Sequence, residues 1–470
     1  MSRAIKLGAV GAAIAVLSGC ATVNMDQAIS DTNRSNSTFT QGKLELSRTD
    51  QQRQARAKLS AELLAKPLGM DEAVQLALSN SPALQSLLAQ SWADMSQATQ
   101  GGRIANPIFN FERVRSGDEL ELGRLLSFGL LDLLTLPRRL AIANSQVAQA
   151  RVQLSATVVD QVTQVRQAWV RAVAAQQSLE YALQINKTAQ ASSELAKRMQ
   201  QVGNFNKLQR MRQQSFYADA TAQLASSQHA ALATREELAR LLGLGDDQVD
   251  ALKLPDRLPD LPKEPRQPQT VNVNAAQQRL DVQMAKGQLD AAGQSQGLNL
   301  VTSLVDVELG IRRDTVFDDS VKSKRKGYEL DIRLPIFDWG NVQRDALNAR
   351  SLAAAYRYEA TVRGASSQLR ESYSAYRTAY DVARHYRDEI VPLRKSIGEE
   401  NVLRYNGMLI GVFELLADNR DQISSVIAAI NAYQQFWLAD SALAASMTGK
   451  PTSMVMSSPA AGGGDETAGH

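Results

Sequence analysis

From Tyr328 to Leu334 apolar and charged side chains alternate. Tyr328, Leu330, Ile332 and Leu334 fall on one face, and Glu329, Asp331 and Arg333 on the other. That period of two predicts a half-exposed strand. Pro335 ends the ladder because it has no N–H to donate. After Asp338 and Gly340 the chain becomes Ala-, Arg- and Asn-rich with helical spacing, so a helix is expected from about 341. The same order occurs about two hundred residues earlier, where Pro137 separates the apolar run 125–136 from a long helical pattern. Within that pattern Leu140, Val147, Leu154, Val158, Val162, Val165, Trp169 and Val173 recur mostly three, four or seven apart. This is a coiled-coil seam with an irregularity near 154–162. A continuous helix over 138–202 would be roughly 97 Å long, more than one globular domain needs. Ala, Ser and Gln fill the positions off the seam, so neighbouring helices can approach on more than one side.

The pattern repeats as two halves. The first, 68–253, opens with an amphipathic stripe of Ala73, Leu76, Ala77, Leu84, Leu87 and Leu88. A hairpin-like region is expected at about 106–136 and a helical hairpin at 138–243, turning at the Gly203–Asn206 tip. The second half, 270–450, has a strand pair at about 298–335 around a charged loop, 312–327. Its hairpin spans 341–449 and turns at 405–411. Gly243 and Gly449 stop the returning helices. Residues 20–67 form a polar arm, helical from about Asp50 to Leu64. The segment 254–269 holds five prolines and is expected to be an extended linker. The tail 451–470 has nothing to bury and is expected to be disordered.

Composition narrows the function. Aromatic residues are 5% of the 470, which suits long packed helices better than a thick core. Lys and Arg number 52 against 49 Asp and Glu, so charge gives no reason to expect nucleic-acid binding. Three histidines and one cysteine exclude metal clusters and a disulfide framework by count. His229 and His385 stand apart on their helices. No nucleophile–His–acid set appears, which disfavours an enzyme, and no cofactor is implied. Residues 1–19 read as a signal peptide, with Arg3 and Lys6 before an apolar run too short for a bilayer. Leu17-Ser18-Gly19-Cys20 resembles a bacterial lipobox, in which cleavage leaves the cysteine N-terminal and lipid-bearing. The alternative is a plain signal peptide with an incidental cysteine. In lipoproteins of this type Asp after the cysteine often holds the protein at the inner membrane, whereas Ala21 favours the outer one. Without Arg3 and Lys6 the balance becomes 50 − 49 = +1. No other stretch is apolar for the length of a membrane helix, so a bilayer would have to be crossed by strands.

The ordered set "MDEAVQLALSNSPALQ", the two proline hand-overs, "RLPIFDWGN", the tips "VGNF" and "YNGMLIGVFELLADNRDQ", and the paired glycine stops resembles the TolC-like outer-membrane factor family, lipoprotein type. The resemblance runs from about 68 to 450. It implies a mainly α fold with a membrane β-barrel, two structural repeats per chain, and a homotrimer. Three chains would make a 12-stranded barrel continued by a long α-helical coiled-coil barrel in the periplasm. Pro137 and Pro335 would sit at the strand–helix junctions. The tip residues Gly203, Asn204, Gly407 and Met408 would dock a periplasmic adaptor, the membrane fusion protein, which joins the duct to an inner-membrane transporter. The first strand pair departs from the family pattern: "NPIFNFERVR" alternates poorly, and 125–137 would read as a short helix on its own. Phe337 and Trp339 fit either an aromatic membrane belt or packing at the junction.

Glu414, Asp418 and Asp421 are spaced i, i+4 and i+7 and share a helical face. The resemblance implies a ring of acids at a narrow periplasmic entrance. Glu414 fits the first family position, and Asp418 is displaced by one from the second. The alternative is a solvated helix face beside Arg420. The expected function is a passive outer-membrane exit duct of a tripartite efflux or type I secretion system, lipid-anchored and reaching into the periplasm of a Gram-negative cell. A periplasmic coiled-coil spacer lipoprotein without a pore is the alternative. Strand pairs discriminate between them, since a spacer needs none.

Overall fold

The structure is a computed structural model and describes residues 24–267, 278–302, 306–318, 321–333, 336–337 and 339–449. Cys20, Pro335, the signal segment and the tail expected at 451–470 lie outside the described residues. The described residues open with five helices: α1 (Met25–Ser35), α2 (Ser37–Thr40), α3 (Asp50–Leu64), α4 (Met70–Asn80) and α5 (Pro82–Gln100). Asn24 caps α1 by accepting from the Gln27 N–H, and Thr49 with Gln52 makes a capping box on α3. Strands β1 (Ile108–Ser116) and β2 (Glu119–Gly129) follow. The first long hairpin is α6 (Leu130–Gln201) and α7 (Lys207–Leu242), with α8 (Asp246–Ala251) after it. The second half runs α9 (Leu280–Thr302), β3 (Asp306–Asp318), β4 (Val321–Arg333) and α10 (Asn341–His385). A π-helical turn (Tyr386–Ile390), α11 (Val391–Asn406) and α12 (Val412–Thr448) complete it.

Helix α6 has 72 residues, about 108 Å at 1.5 Å per residue. Its seam is buried from Leu154 to Val173, where the N-terminal arm wraps it. Trp169 Nε1 donates to the Leu68 carbonyl at 2.8 Å, and Arg166 donates to the Phe39 carbonyl at 2.7 Å. The proline segment is a strap rather than a free linker. Leu254, Leu258 and Leu261 point inward and are buried. Trp437 Nε1 donates to the Pro259 carbonyl, and the Tyr380 hydroxyl to the carbonyls of Pro262 and Lys263. Arm and strap together girdle the middle of the long helices.

Three expectations change. First, Pro137 is not at a strand–helix junction: α6 starts at Leu130, and Pro137 lies inside it. The run Leu130–Leu136 is leucine-rich and helix-forming, so the hand-over falls at Gly129. Pro137 leaves the Leu133 carbonyl without its i→i−4 donor. Second, residues 298–302 are the end of α9, so the second strand pair begins only at Asp306. Third, most of 312–327 is not loop. Strands β3 and β4 pair from Asp306↔Arg333 to Asp318↔Val321. The alternation continues through that stretch, but with charges where apolar residues had been. Gly243 and Gly449 both end their helices as expected, but only Gly243 does so in the left-handed conformation (φ 70°); Gly449 has φ −145°. A Cβ on Gly243 would stand 2.7 Å from the Ser81 Cα, and Asn80 Nδ2 donates to the carbonyls of Leu242 and Gly243. That helix end is locked onto the α4–α5 turn.

The described strands form one antiparallel sheet in the order β1-β2-β3-β4. The β1–β2 turn and the adjoining ends of β3 and β4 lie away from the helices. The outer edges of β1 and β4 carry no strand partner among the described residues.

Candidate functional site

The two ends of the molecule, the sheet and the hairpin tips, carry the most exposed large apolar side chains among the described residues. At the sheet end, register assigns each residue to a face. Phe109, Leu126, Ile311 and Tyr328 are cross-strand neighbours, and Phe128, Leu309 and Leu330 make the next row toward the helices. Most of these are exposed in the single chain, Tyr328 at 86%. The exposed apolar surface continues to the junction at Leu134, Ile336, Phe337 (98%) and Trp339. The opposite face holds a charge network. Arg312 Nε donates to Asp314 at 2.9 Å, and its other nitrogens stand 3.7 Å from Glu112 and Glu329. In its half nearest the helices the sheet is apolar on one face and charged on the other, which suits a wall between lipid and water.

At the far end the two hairpin tips share one geometry. Gly203 (φ 82°) and Met408 (φ 56°) each follow a helix end in the left-handed conformation. Asn204 N–H donates to the Met199 carbonyl at 2.9 Å, and Leu409 N–H to the Arg404 carbonyl at 2.8 Å, the 6→1 bond of a Schellman motif. Gly203 therefore corresponds structurally to Met408, not to Gly407, whose φ is −79°. Met408 is 93% exposed, and Leu409 after it and Val202 of the first tip are also exposed. Phe205 of the first tip lies 4.3 Å from Phe413 at the second, centroid to centroid. Sequence reasoning missed this aromatic clasp. The signal was an aromatic residue just past each tip turn.

The three acids start α12 close behind its tip. Glu414 is exposed in the first turn. Asp421 is half-buried and accepts from Arg420 Nε at 3.3 Å. Asp418 turns toward α11: its Oδ2 is enclosed, lacks a hydrogen-bond donor, and lies 3.5 Å from where a Cβ on Gly398 would be. The structure thus leaves Glu414 open to solvent and sets Asp418 at the edge of the α11–α12 interface. Among the described residues no helix is long and apolar enough to cross a membrane, which says nothing of strands.

Residues 271–397 match the family model described as outer membrane efflux protein. A search of curated proteins finds no match. Solved structures resemble the chain strongly. The outer membrane channel CmeC of Campylobacter jejuni aligns with TM-score 0.67 and 14% identity over 86% of this chain and 89% of its own. A membrane protein from Pseudomonas aeruginosa aligns with TM-score 0.66 and 20% identity, covering 80% and 93%. The open state of the MtrE outer membrane channel of Neisseria gonorrhoeae aligns with TM-score 0.65 and 19% identity, covering 81% and 89%. At these identities the likeness is one of fold.

Proposed function

On the premise that this chain carries an outer membrane efflux protein domain and has the fold of the TolC-like channels, a family of passive conduits rather than enzymes, we propose that it is the outer-membrane exit duct of a tripartite efflux or type I secretion system. Three copies close a 12-stranded barrel over a cylinder of helices. Cys20 is acylated and holds the N-terminal arm at the membrane. The tips Gly203, Asn204, Gly407 and Met408 meet a periplasmic adaptor, and an inner-membrane transporter supplies the energy. Glu414, Asp418 and Asp421 line the periplasmic mouth.

One observation carries the reading: a four-stranded sheet whose helix-side half is apolar on one face and whose two outer edges carry no strand partner among the described residues. Four strands cannot close on themselves, and unpaired strand edges are not tolerated in lipid. Copies joined edge to edge, β4 to β1, remove every open edge at once. A coiled-coil spacer offers no role for this sheet. The detergent-solubilised protein is expected to have the mass of three chains and to give discrete conductance steps in planar bilayers. A stable monomer, or a trimer that conducts nothing, would overturn the reading.

A further inference from the structure

The lipid-side face of the sheet changes character halfway along the strands. Nearest the helices its rows are apolar, ending with Phe109, Leu126, Ile311 and Tyr328. The next row outward reads Phe111, Arg124, Arg313 and Lys326, three cations side by side on neighbouring strands. Beyond it Arg113 and Lys324 flank Leu122 and Thr315. The last row before the turns has Arg115 and Lys322 at its ends. All seven cations are exposed, and none has an ion-pair partner among the described residues. Lys322 lies 5.3 Å over the Phe317 ring, which confirms that these two share a face.

The acids are sorted the opposite way. Every Asp and Glu of the strands whose side chain is described has the other parity, with Glu112, Glu121, Asp314 and Glu329 among them. Register alone would scatter charges over both faces. Here one face has seven cations and no acid, directly above an apolar belt. Arg and Lys are costly in hydrocarbon and long enough to reach out of it, so these rows lie at headgroup level at the outward end of the barrel. Clustered cations at that level attract anionic headgroups, and Arg forks match phosphate oxygens two at a time.

We propose that this band is a binding surface for phosphate-bearing lipid headgroups of the outer leaflet, with Arg124, Arg313 and Lys326 at its centre. The proposal rests on the barrel reading above. In a trimer the band repeats around the rim, so each protein would gather a collar of phosphorylated lipid. The collar would anchor the depth of the duct from the outside, opposite the expected lipid anchor at Cys20.

The test uses the full-length trimer in a zwitterionic detergent, titrated by native mass spectrometry. The probes are diphosphorylated lipid A, lipid A stripped of both phosphates, and inorganic pyrophosphate. Diphosphorylated lipid A should be retained over the stripped form, and less so as salt rises. Arg124→Gln/Arg313→Gln/Lys326→Gln should weaken that retention about tenfold or more, since each cation near an anionic surface adds to binding. Arg124→Lys/Arg313→Lys should keep most of it. If the triple variant fails to assemble, Lys322→Gln/Lys324→Gln near the turn should show a smaller loss in the same direction. Equal retention by wild type and the assembled variant, or of lipid A with and without phosphates, would overturn the proposal. So would pyrophosphate binding as tightly as the lipid, since that marks a free-anion site. Conductance of the same preparations separates the two readings: a channel indifferent to lipid phosphate sinks only this inference, and a protein without conductance sinks the duct.

Discussion

Asp440 on α12 is a carboxylate in a tight place. It pairs with Arg266 of the proline strap at 2.9 Å, and the charge of Arg166 on α6 also favours its ionised form. Burial nevertheless outweighs both cations and pushes its carboxyl above the usual carboxylate range. The folded state then binds this proton more tightly than the unfolded chain does. Stability from this site is therefore full at low pH and falls as pH rises from about 3.9 through the raised value. Asn mimics the protonated form and avoids that loss. Asp440→Asn should match the wild type near pH 4 and be more stable by about 0.5–1 kcal/mol at pH 8, a modest gain because the site keeps some solvent. Thermal unfolding in detergent at the two pH values checks it. A variant less stable at pH 8 would mean that the Arg266 pair, not desolvation, governs the site.

The helical hairpins carry a different tension. Both tips turn through a left-handed residue, and one uses glycine where the other uses methionine. A non-glycine residue there costs roughly 1 kcal/mol or more, and the exposed Met408 side chain recovers little by packing. Met408→Gly should raise hairpin stability by about 0.5 kcal/mol, net of the extra freedom glycine adds to the unfolded chain. Slower amide exchange between Arg404 and Phe413 would register it, and faster exchange would show that Met408 packs in a way the single chain does not reveal. A strained, exposed methionine retained at a tip is what a docking surface would favour. At this scale the sequence was uneven as a guide. The seam from Leu154 to Val173 was legible because its apolar period survives wherever arm meets helix. The β4 alternation was legible only up to Tyr328. Beyond it Lys326, Lys324 and Lys322 occupy the same face, so hydrophobicity stops alternating while the strand continues, and the stretch passes for a loop. Arg113 and Arg115 hide β1 in the same way. Pro137 misled for the opposite reason: proline usually marks a helix start, but a leucine-rich run before it propagates the helix from Gly129 and outweighs one lost hydrogen bond. In the second hairpin the proline, Pro392, stands at the start of α11, just after the π turn over Tyr386–Ile390.

In the proposed trimer the decisive quantity would be charge at the proposed periplasmic mouth, because three copies would multiply what one chain holds. Glu414, Asp418 and Asp421 share a face of α12 behind the clasp of Phe205 and Phe413. In one chain Glu414 is solvated and the Asp418 carboxylate is half-turned into the α11–α12 interface. Around a threefold axis nine carboxylates would converge, with Arg420 paired to Asp421 as the nearest counter-charge. Crowded acids in a narrow mouth concentrate cations and exclude anions. Glu414→Gln with Asp418→Asn removes two of the three and should lower cation preference in single-channel recordings and lessen block by multivalent cations. Wild-type selectivity should itself fade at high salt, since the Debye length is about 3 Å at 1 M. Conductance should persist in the double variant, because neither change touches the sheet. Unchanged ion preference and unchanged block would make these side chains an ordinary solvated helix face, and would move the search for the constriction to the tip residues Met408 and Leu409.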